Sequence, residues 1–252
     1  MKLSFIVISS ITTYCPGITL LGFRMKNPKL KLEEAFFSKF KSVQYFKRNQ
    51  LIFGPTNTPA GVYFIKTGLV RMYLVSKDGS ETTFNILKPG TYFSIIWAFN
   101  DVPNIYFYEA LTDITLLKAP REEIVKFVEK NPAVLLDITK RTLSGLDGIT
   151  RLMNALLTGN TYQRIASVLL VLARRFGTFR GKKVVINIPL THRVISTLAG
   201  LTRESTSKEL EALQANKIIS IKNHTISILN LKMLEESSPI SFVEQYKEEE
   251  II

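Results

Sequence analysis

A chain of 252 residues, 46% hydrophobic and 21% charged, has the length of about two globular domains and a composition that makes disorder a poor default. Its formal charge of +12 suits a polyanionic partner, either nucleic acid or an acidic membrane face. One cysteine, Cys15, and two histidines, His192 and His224, exclude an intramolecular disulfide and leave little for a metal cluster or a histidine acid/base pair. No phosphate loop, His-Glu-x-x-His or nucleophile elbow is present, so neither an enzyme nor a cofactor or metal is expected, and a reducing cytoplasm is the natural setting.

Residues 1–24 read as an N-terminal extension. Ile6 to Leu21 is apolar but interrupted by Ser9, Ser10, Thr12, Thr13 and Pro16, short of the about 20 clean residues of a membrane span. Two readings stand: a weak export or anchoring signal, and an extension ahead of an initiator at Met25.

From Ser42 to Ala119, short β-branched and aromatic runs are broken by Gly54, Gly61, Gly68, Gly79 and Gly90, the pattern of an all-β domain. Val62 to Lys66 and Leu69 to Val75 flank Thr67-Gly68, and Lys77-Asp78-Gly79-Ser80 makes a hairpin turn before Glu81 to Leu87. After Pro120 the period changes. Arg121 to Glu129 is a short amphipathic helix, and Asn131-Pro132 opens a helix to about Leu157.

On that helix Leu136, Leu143, Leu146, Ile149, Met153 and Leu156 recur at three- and four-residue steps, an apolar stripe suited either to a partner helix or to the β domain. Leu143, Leu146, Ile149, Met153 and Leu156 are the expected dimer contacts. Gly145 and Gly148 cost about 1 kcal/mol each relative to Ala in a helix, which predicts a close helix approach or a soft point there.

Thr158-Gly159-Asn160 reads as a hinge and domain boundary, with Asn160 or Thr161 capping a helix whose Ile165, Val168, Leu169, Leu172 and Phe176 share a face. Gly177 to Lys183 reads as a basic loop and Val184 to Ile188 as a strand. Between Asn160 and Leu234 twelve Lys or Arg face only Glu204, Glu209 and Glu211, nine of the twelve net positive charges.

Thr191 caps a helix reaching Ala199, Gly200-Leu201 turns sharply, and Thr202 caps a second helix from Arg203 to about Ala215, a helix-turn-helix pattern. Ile195, Leu198, Ala199 and Leu201 would pack on Leu210 and Leu213, turning Arg203, Glu204, Ser207 and Lys208 outward, where the second helix of such motifs meets base edges. Arg203 can grip guanine, Glu204 can accept from cytosine, and Lys208 can reach a guanine one turn on. Glu204 could equally be a helix-start carboxylate on the dipole. Thr191, His192, Arg193, Thr202, Lys182, Lys183, Lys222 and His224 are the expected phosphate contacts, the last two in a wing formed by Ile218 to Ile221 and Thr225 to Leu229.

The span from about Leu32 to Leu231 resembles the Crp/Fnr family, the cyclic-AMP receptor protein and its relatives. Thr161-Tyr162-Gln163-Arg164-Ile165-Ala166 looks like that family's first helix after the hinge, and Leu201-Thr202-Arg203-Glu204-Ser205-Thr206-Ser207-Lys208-Glu209-Leu210 is similar to its recognition helix. Thr206 departs from it, where the family usually has a packing Val. The resemblance implies an α+β chain: a β-roll sensor of the cyclic-nucleotide-binding-like jelly-roll type (25–130), a long dimerisation helix (131–158), a C-terminal winged helix-turn-helix (159–234) and a tail (235–252). It also implies a homodimer on a palindromic operator in double-stranded DNA with half-sites of the TGTGA type, and RNA polymerase as a further partner.

In cyclic-AMP binders of the family a Gly-Glu pair and an Arg-Ser or Arg-Thr pair hold the ribose and phosphate. Here the matching stretches are Ser94-Ile95 and Ile105-Tyr106, which would leave a buried phosphate without its charge partner. The family's redox and carbon-monoxide sensors need a cysteine cluster or a haem ligand, and neither is at hand. Ser94, Ile95, Trp97, Ile105, Tyr106 and Thr150 are the candidate lining of a pocket for an apolar or aromatic effector, against the plainer reading of a β-roll core. Three classes stay open: an effector-gated regulator, an effector-independent DNA binder with the roll as scaffold, and a membrane-associated protein held by residues 1–24.

Overall fold

The computed structural model describes residues 28–55 and 58–240, so the readings for residues 1–24 and for the end of the tail lie outside the described residues. A helix absent from the sequence reading comes first: α1 (Pro28–Ser38), whose Phe36 and Phe37 are buried. Strands β1 (Val43–Phe46), β2 (Leu51–Phe53), β3 (Val62–Thr67), β4 (Val70–Val75), β5 (Glu81–Leu87) and β6 (Tyr92–Phe93) follow, then a short helix α2 (Ile95–Asn100), β7 (Phe107–Ala110) and β8 (Ile114–Ala119). They form two four-stranded antiparallel sheets in the orders β1-β8-β3-β6 and β2-β7-β4-β5. The expected Thr67-Gly68 turn joins β3 to β4 and demands glycine, because φ is +84° and a Cβ would lie 2.4 Å from the Asp113 carbonyl oxygen.

Residues of both sheets meet in one core, where the rings of Phe53, Tyr63, Phe93 and Tyr108 pack with neighbouring centroids 4.7 to 6.0 Å apart. Helix α3 (Arg121–Lys130) lies on α1 through Phe127 stacked on Phe36 at 4.0 Å. Helix α4 (Pro132–Thr158), with Pro132 at its first turn, is pinned to the roll by Arg141. That guanidinium donates to the Gly90 carbonyl (2.9 Å) and to the fully buried Glu33 carboxylate (2.8 Å), which also accepts from the Tyr92 hydroxyl. Burial pushes the Glu33 carboxyl above its ordinary range against the pull of Tyr92 and Arg141.

Helix α5 (Thr161–Phe176) starts with a reciprocal capping box between Asn160 and Gln163, so Asn160 rather than Thr161 is the cap. The expected loop from Gly177 to Lys183 is instead a hairpin of β9 (Gly177–Arg180) and β10 (Lys183–Ile186), because the two segments satisfy each other's backbone, Val184 opposite Phe179. Helices α6 (His192–Ala199) and α7 (Arg203–Ala215), strands β11 (Ile219–Lys222) and β12 (Thr225–Ile228), and α8 (Leu231–Glu236) complete the domain, with sheet order β11-β12-β10-β9. The domain runs past residue 234: Leu234 and Ile240 are buried, and Ser238 shares a 2.7 Å hydrogen bond with Ser167 on α5.

The two halves share a core. Leu69, Ile86 and Leu111 of the roll join the apolar cluster of α5, α6 and α7, so edge strand β5 is covered by helices rather than left open. Arg175 on α5 clamps that strand, donating to Asn85 Oδ1 (2.7 Å) and the Ile86 carbonyl (2.8 Å).

Candidate nucleic-acid interface

Helices α6 and α7 take the form their caps dictate. Thr191 Oγ1 accepts from the Val194 N–H, Gly200 turns the chain at φ +61°, and Thr202 accepts from the Ser205 N–H. The buried face holds Ile195, Leu198, Ala199, Leu210 and Leu213, which leaves Arg203, Glu204 and Lys208 exposed along the start of α7. Ser207 is less free: its hydroxyl donates to the Arg203 carbonyl (3.0 Å) and lies 2.7 Å from His192 Nδ1, so these two predicted contacts brace α7 against α6. Thr206 is fully buried and its hydroxyl has no partner among the described residues, the environment of an apolar side chain.

Thr191, His192, Arg193, Arg203 and His224 border one cleft of about 530 Å³, together with Arg48 and Asn49 from the turn between β1 and β2, which the sequence reading passed over. His224 sits at the wing tip with Asn223, both at positive φ, and its carbonyl accepts from the Leu190 N–H at 2.9 Å, holding the tip beside α6. Lys222 is exposed next to it. Lys182 and Lys183 do not join this face. Because Val184 pairs with Ile228 and Ile186 with Ile226, their turn lies at the opposite end of the sheet from the wing tip.

Arg193 is drawn toward the roll. Its guanidinium meets Glu81 Oε1 at 2.6 Å, and the other Glu81 oxygen takes Arg71 at 2.7 Å. Arg71, almost fully buried, donates to Thr83 (2.8 Å) and Thr197 (3.3 Å), lies 3.8 Å from Glu109 and covers the Tyr73 ring. Thr83 and Thr197 are themselves 2.8 Å apart. Burial alone would push the Glu81 carboxyl up, but the hydrogen bonds from Arg71 and Arg193 outweigh it and hold it below the usual carboxylate range. This polar latch ties β5 to α6, and its members stand too far apart in sequence for any local pattern to announce them.

Along α4, Leu136, Leu143, Leu146, Ile149, Met153 and Leu157 are exposed, Leu157 at 73%. The stripe differs from the expected one at its end, where Leu156 is half-buried and Leu157 carries the apolar face, because the steps alternate three and four through Leu143, Leu146, Thr150, Met153 and Leu157. Gly145 and Gly148 fall off this seam, and a Cβ on either would meet nothing within 4 Å. The close-approach reading of these glycines finds no neighbour among the described residues.

Most of the residues expected to line an effector pocket are engaged within the chain or open to solvent. The Ser94 hydroxyl is spent on the Gly61 and Phe93 carbonyls (2.9 and 2.5 Å), Trp97 packs under Arg121, Ile95 and Tyr106 are half-buried, Ile105 is 54% exposed, and Thr150 bonds its own helix at Leu146. Phe93 packs on Tyr63 and Tyr108 inside the roll. Among the described residues no group of three or more His, Cys, Asp or Glu could hold a metal, and no helix is long and apolar enough to cross a membrane.

Comparison with known proteins agrees with this architecture. A family model described as a Crp-like helix-turn-helix domain matches residues 163–237, and one described as a cyclic nucleotide-binding domain matches residues 43–131. The chain is 28% identical to the global nitrogen regulator of Nostoc sp. over 74% of this chain and 84% of that protein. It is 28% identical to the transcriptional regulator SdrP of Thermus thermophilus over 69% and 82% of the two. A solved CRP/FNR-family regulator, also from Thermus thermophilus, superposes with a TM-score of 0.61 at 28% identity, covering 78% of this chain and 98% of that one. Two matched domains in the right order, with α7 presenting Arg203 and Glu204 at the place the motif demands, lead to one assignment: the chain belongs to the Crp/Fnr family of DNA-binding transcription regulators.

Proposed function

We propose that the protein works as a homodimer joined along α4, reading a two-fold symmetric operator with Arg203, Glu204 and Lys208 on base edges, while Thr191, His192, Thr202, Lys222 and His224 hold phosphates. The observation that carries this reading is the exposed apolar stripe of α4, which in water needs a second helix, on a chain that presents one reading helix and therefore one half-site. Ile95 and Ile105 supply neither carboxylate nor guanidinium, which supports an effector other than cyclic AMP. A second reading of the sensor, a scaffold without effector, is favoured by the stacked rings that fill the roll; a screen for small molecules that alter operator affinity separates the two. The cytoplasm is the proposed setting. RNA polymerase is the proposed further partner, supported by the designation of one 23%-identical relative as the transcriptional activator FnrL.

DNA selected from a random pool tests the symmetric reading. Two inverted half-sites about 10 base pairs apart, centre to centre, are expected. Leu146→Glu and Met153→Glu should give monomers by light scattering and lose that symmetric preference. A single asymmetric site, or an unchanged dimer mass in both variants, would overturn α4 as the interface.

A further inference from the structure

We propose that His192 is a positioning residue for base reading: through Ser207 it fixes the first turn of α7, the turn that carries Arg203 and Glu204. The proposal rests on the reading that α7 faces bases, and deepens it. Its starting point is what the apolar core leaves unfixed. Thr206 is the first buried residue of α7, followed by Leu210 and Leu213, so Arg203 and Glu204 stand exposed ahead of the packed part of the helix. Apolar contact is non-directional, and holds α7 on α6 without setting the rotation of that leading turn. The Thr202 cap, 3.1 Å from the Ser205 N–H, ties the turn only to the chain just before it. A directional bond between the two helices supplies the rest.

Counting protons makes the direction of that bond definite. The Ser207 hydroxyl has one hydrogen and donates it to the Arg203 carbonyl (3.0 Å), so its 2.7 Å contact with His192 Nδ1 is attractive only when Nδ1 carries the hydrogen and Ser207 Oγ accepts it. The bonds then run from His192 Nδ1 through Ser207 Oγ to the Arg203 carbonyl, each polarising the next. They end on the peptide that joins the two base-reading residues. His192 and Ser207 are both half-buried, so water competes only in part for their bond. The donor also stands on a fixed frame, since His192 begins α6 behind the Thr191 cap, and Val194 and Ile195 hold that helix in the core. The phosphate contact proposed above would use the opposite nitrogen, Nε2, with a second proton. One side chain thus carries two separable tasks.

The test measures affinity of the full chain for matched and scrambled sites at one salt concentration. Wild type is compared with His192→Ala, His192→Asn, His192→Gln, Ser207→Ala, the His192→Ala/Ser207→Ala pair and Arg203→Ala, with thermal melts to verify folding. Asn places an amide N–H close to where Nδ1–H stands, whereas Gln carries its amide out toward the Nε2 position. His192→Ala and Ser207→Ala should each lower the ratio of matched to scrambled affinity by about three- to tenfold, and the pair together should lose no more than either alone. His192→Asn should keep the wild-type ratio, whatever it does to both affinities alike, and His192→Gln should not. Equal losses on both DNAs in His192→Ala, additive losses in the pair, or an Asn variant no better than Gln would overturn the assignment. It is likewise overturned if Ser207→Ala alone loses discrimination, which would make Ser207 a base reader in its own right. Arg203→Ala separates the two levels: if it spares site discrimination, the reading of α7 fails; if it abolishes discrimination while His192→Ala and Ser207→Ala leave the ratio unchanged, only the positioning role fails.

Discussion

At the scale of single residues, the sharpest test of the packing is Thr206. Its side chain is fully enclosed and its hydroxyl has no partner among the described residues, so the polar atom is desolvated without recompense. Thr206→Val keeps the branched shape and removes that cost. It should stabilise the protein by about 1 kcal/mol, seen as a melting temperature higher by a few degrees, with DNA affinity unchanged; a drop in melting temperature would mean that the hydroxyl is satisfied in solution. The sequence announced Thr206 as a departure and announced the outward set Arg203, Glu204 and Lys208, because Thr191, Gly200 and Thr202 fix where both helices begin and which way they face. It did not announce that Ser207 would turn to His192, or Arg193 to Glu81, since those partners are chosen by the tertiary arrangement.

Among the elements, helices marked by caps or a sustained apolar period were legible, whereas α1, α2 and β9 were not. Helix α4 spans 27 residues, enough turns for its stripe to show, although Leu156 and Leu157 could be told apart only once the helix was seen to pack through Ala155 and Leu152. Six-residue α2 has no room for a period, and β9 looked like a loop because its pairing with β10 is not written in either segment alone. Gly145 and Gly148 lie within α4 with open space where a Cβ would go. Gly145→Ala and Gly148→Ala should therefore each stabilise the helix by about 0.5 to 1 kcal/mol, measured by denaturant melts of the dimer. A loss of stability in either variant would indicate that a partner's backbone approaches that glycine closely.

For the whole molecule, the governing feature is that the sensor roll and the DNA-binding domain are joined twice, covalently through α4 and non-covalently through β5. The second joint was invisible in the sequence because Arg71, Glu81, Thr83 and Arg175 act across separations of about a hundred residues. Since the Glu81 carboxyl is held below the usual range, its contribution is present above the ordinary carboxylate pKa of about 4.3 and is lost as pH falls through its lower folded value. Glu81→Gln should cost roughly 1 to 3 kcal/mol at neutral pH and shallow the acid limb of a melting-temperature profile; superimposable acid limbs would show that the latch does not hold the domains.

The claim on which the account turns is that α7 reads bases, and the most direct measurement is the affinity of Arg203→Ala and Glu204→Ala for matched and scrambled operators at one salt concentration. Each variant should lose about 1 to 3 kcal/mol on the matched site and much less on the scrambled one, since base contacts specify while phosphate contacts position. Lys208→Ala should behave the same way but more weakly, as a flexible point charge. Equal losses on both DNAs would contradict base reading by α7 and return Glu204 to the role of a helix-end carboxylate.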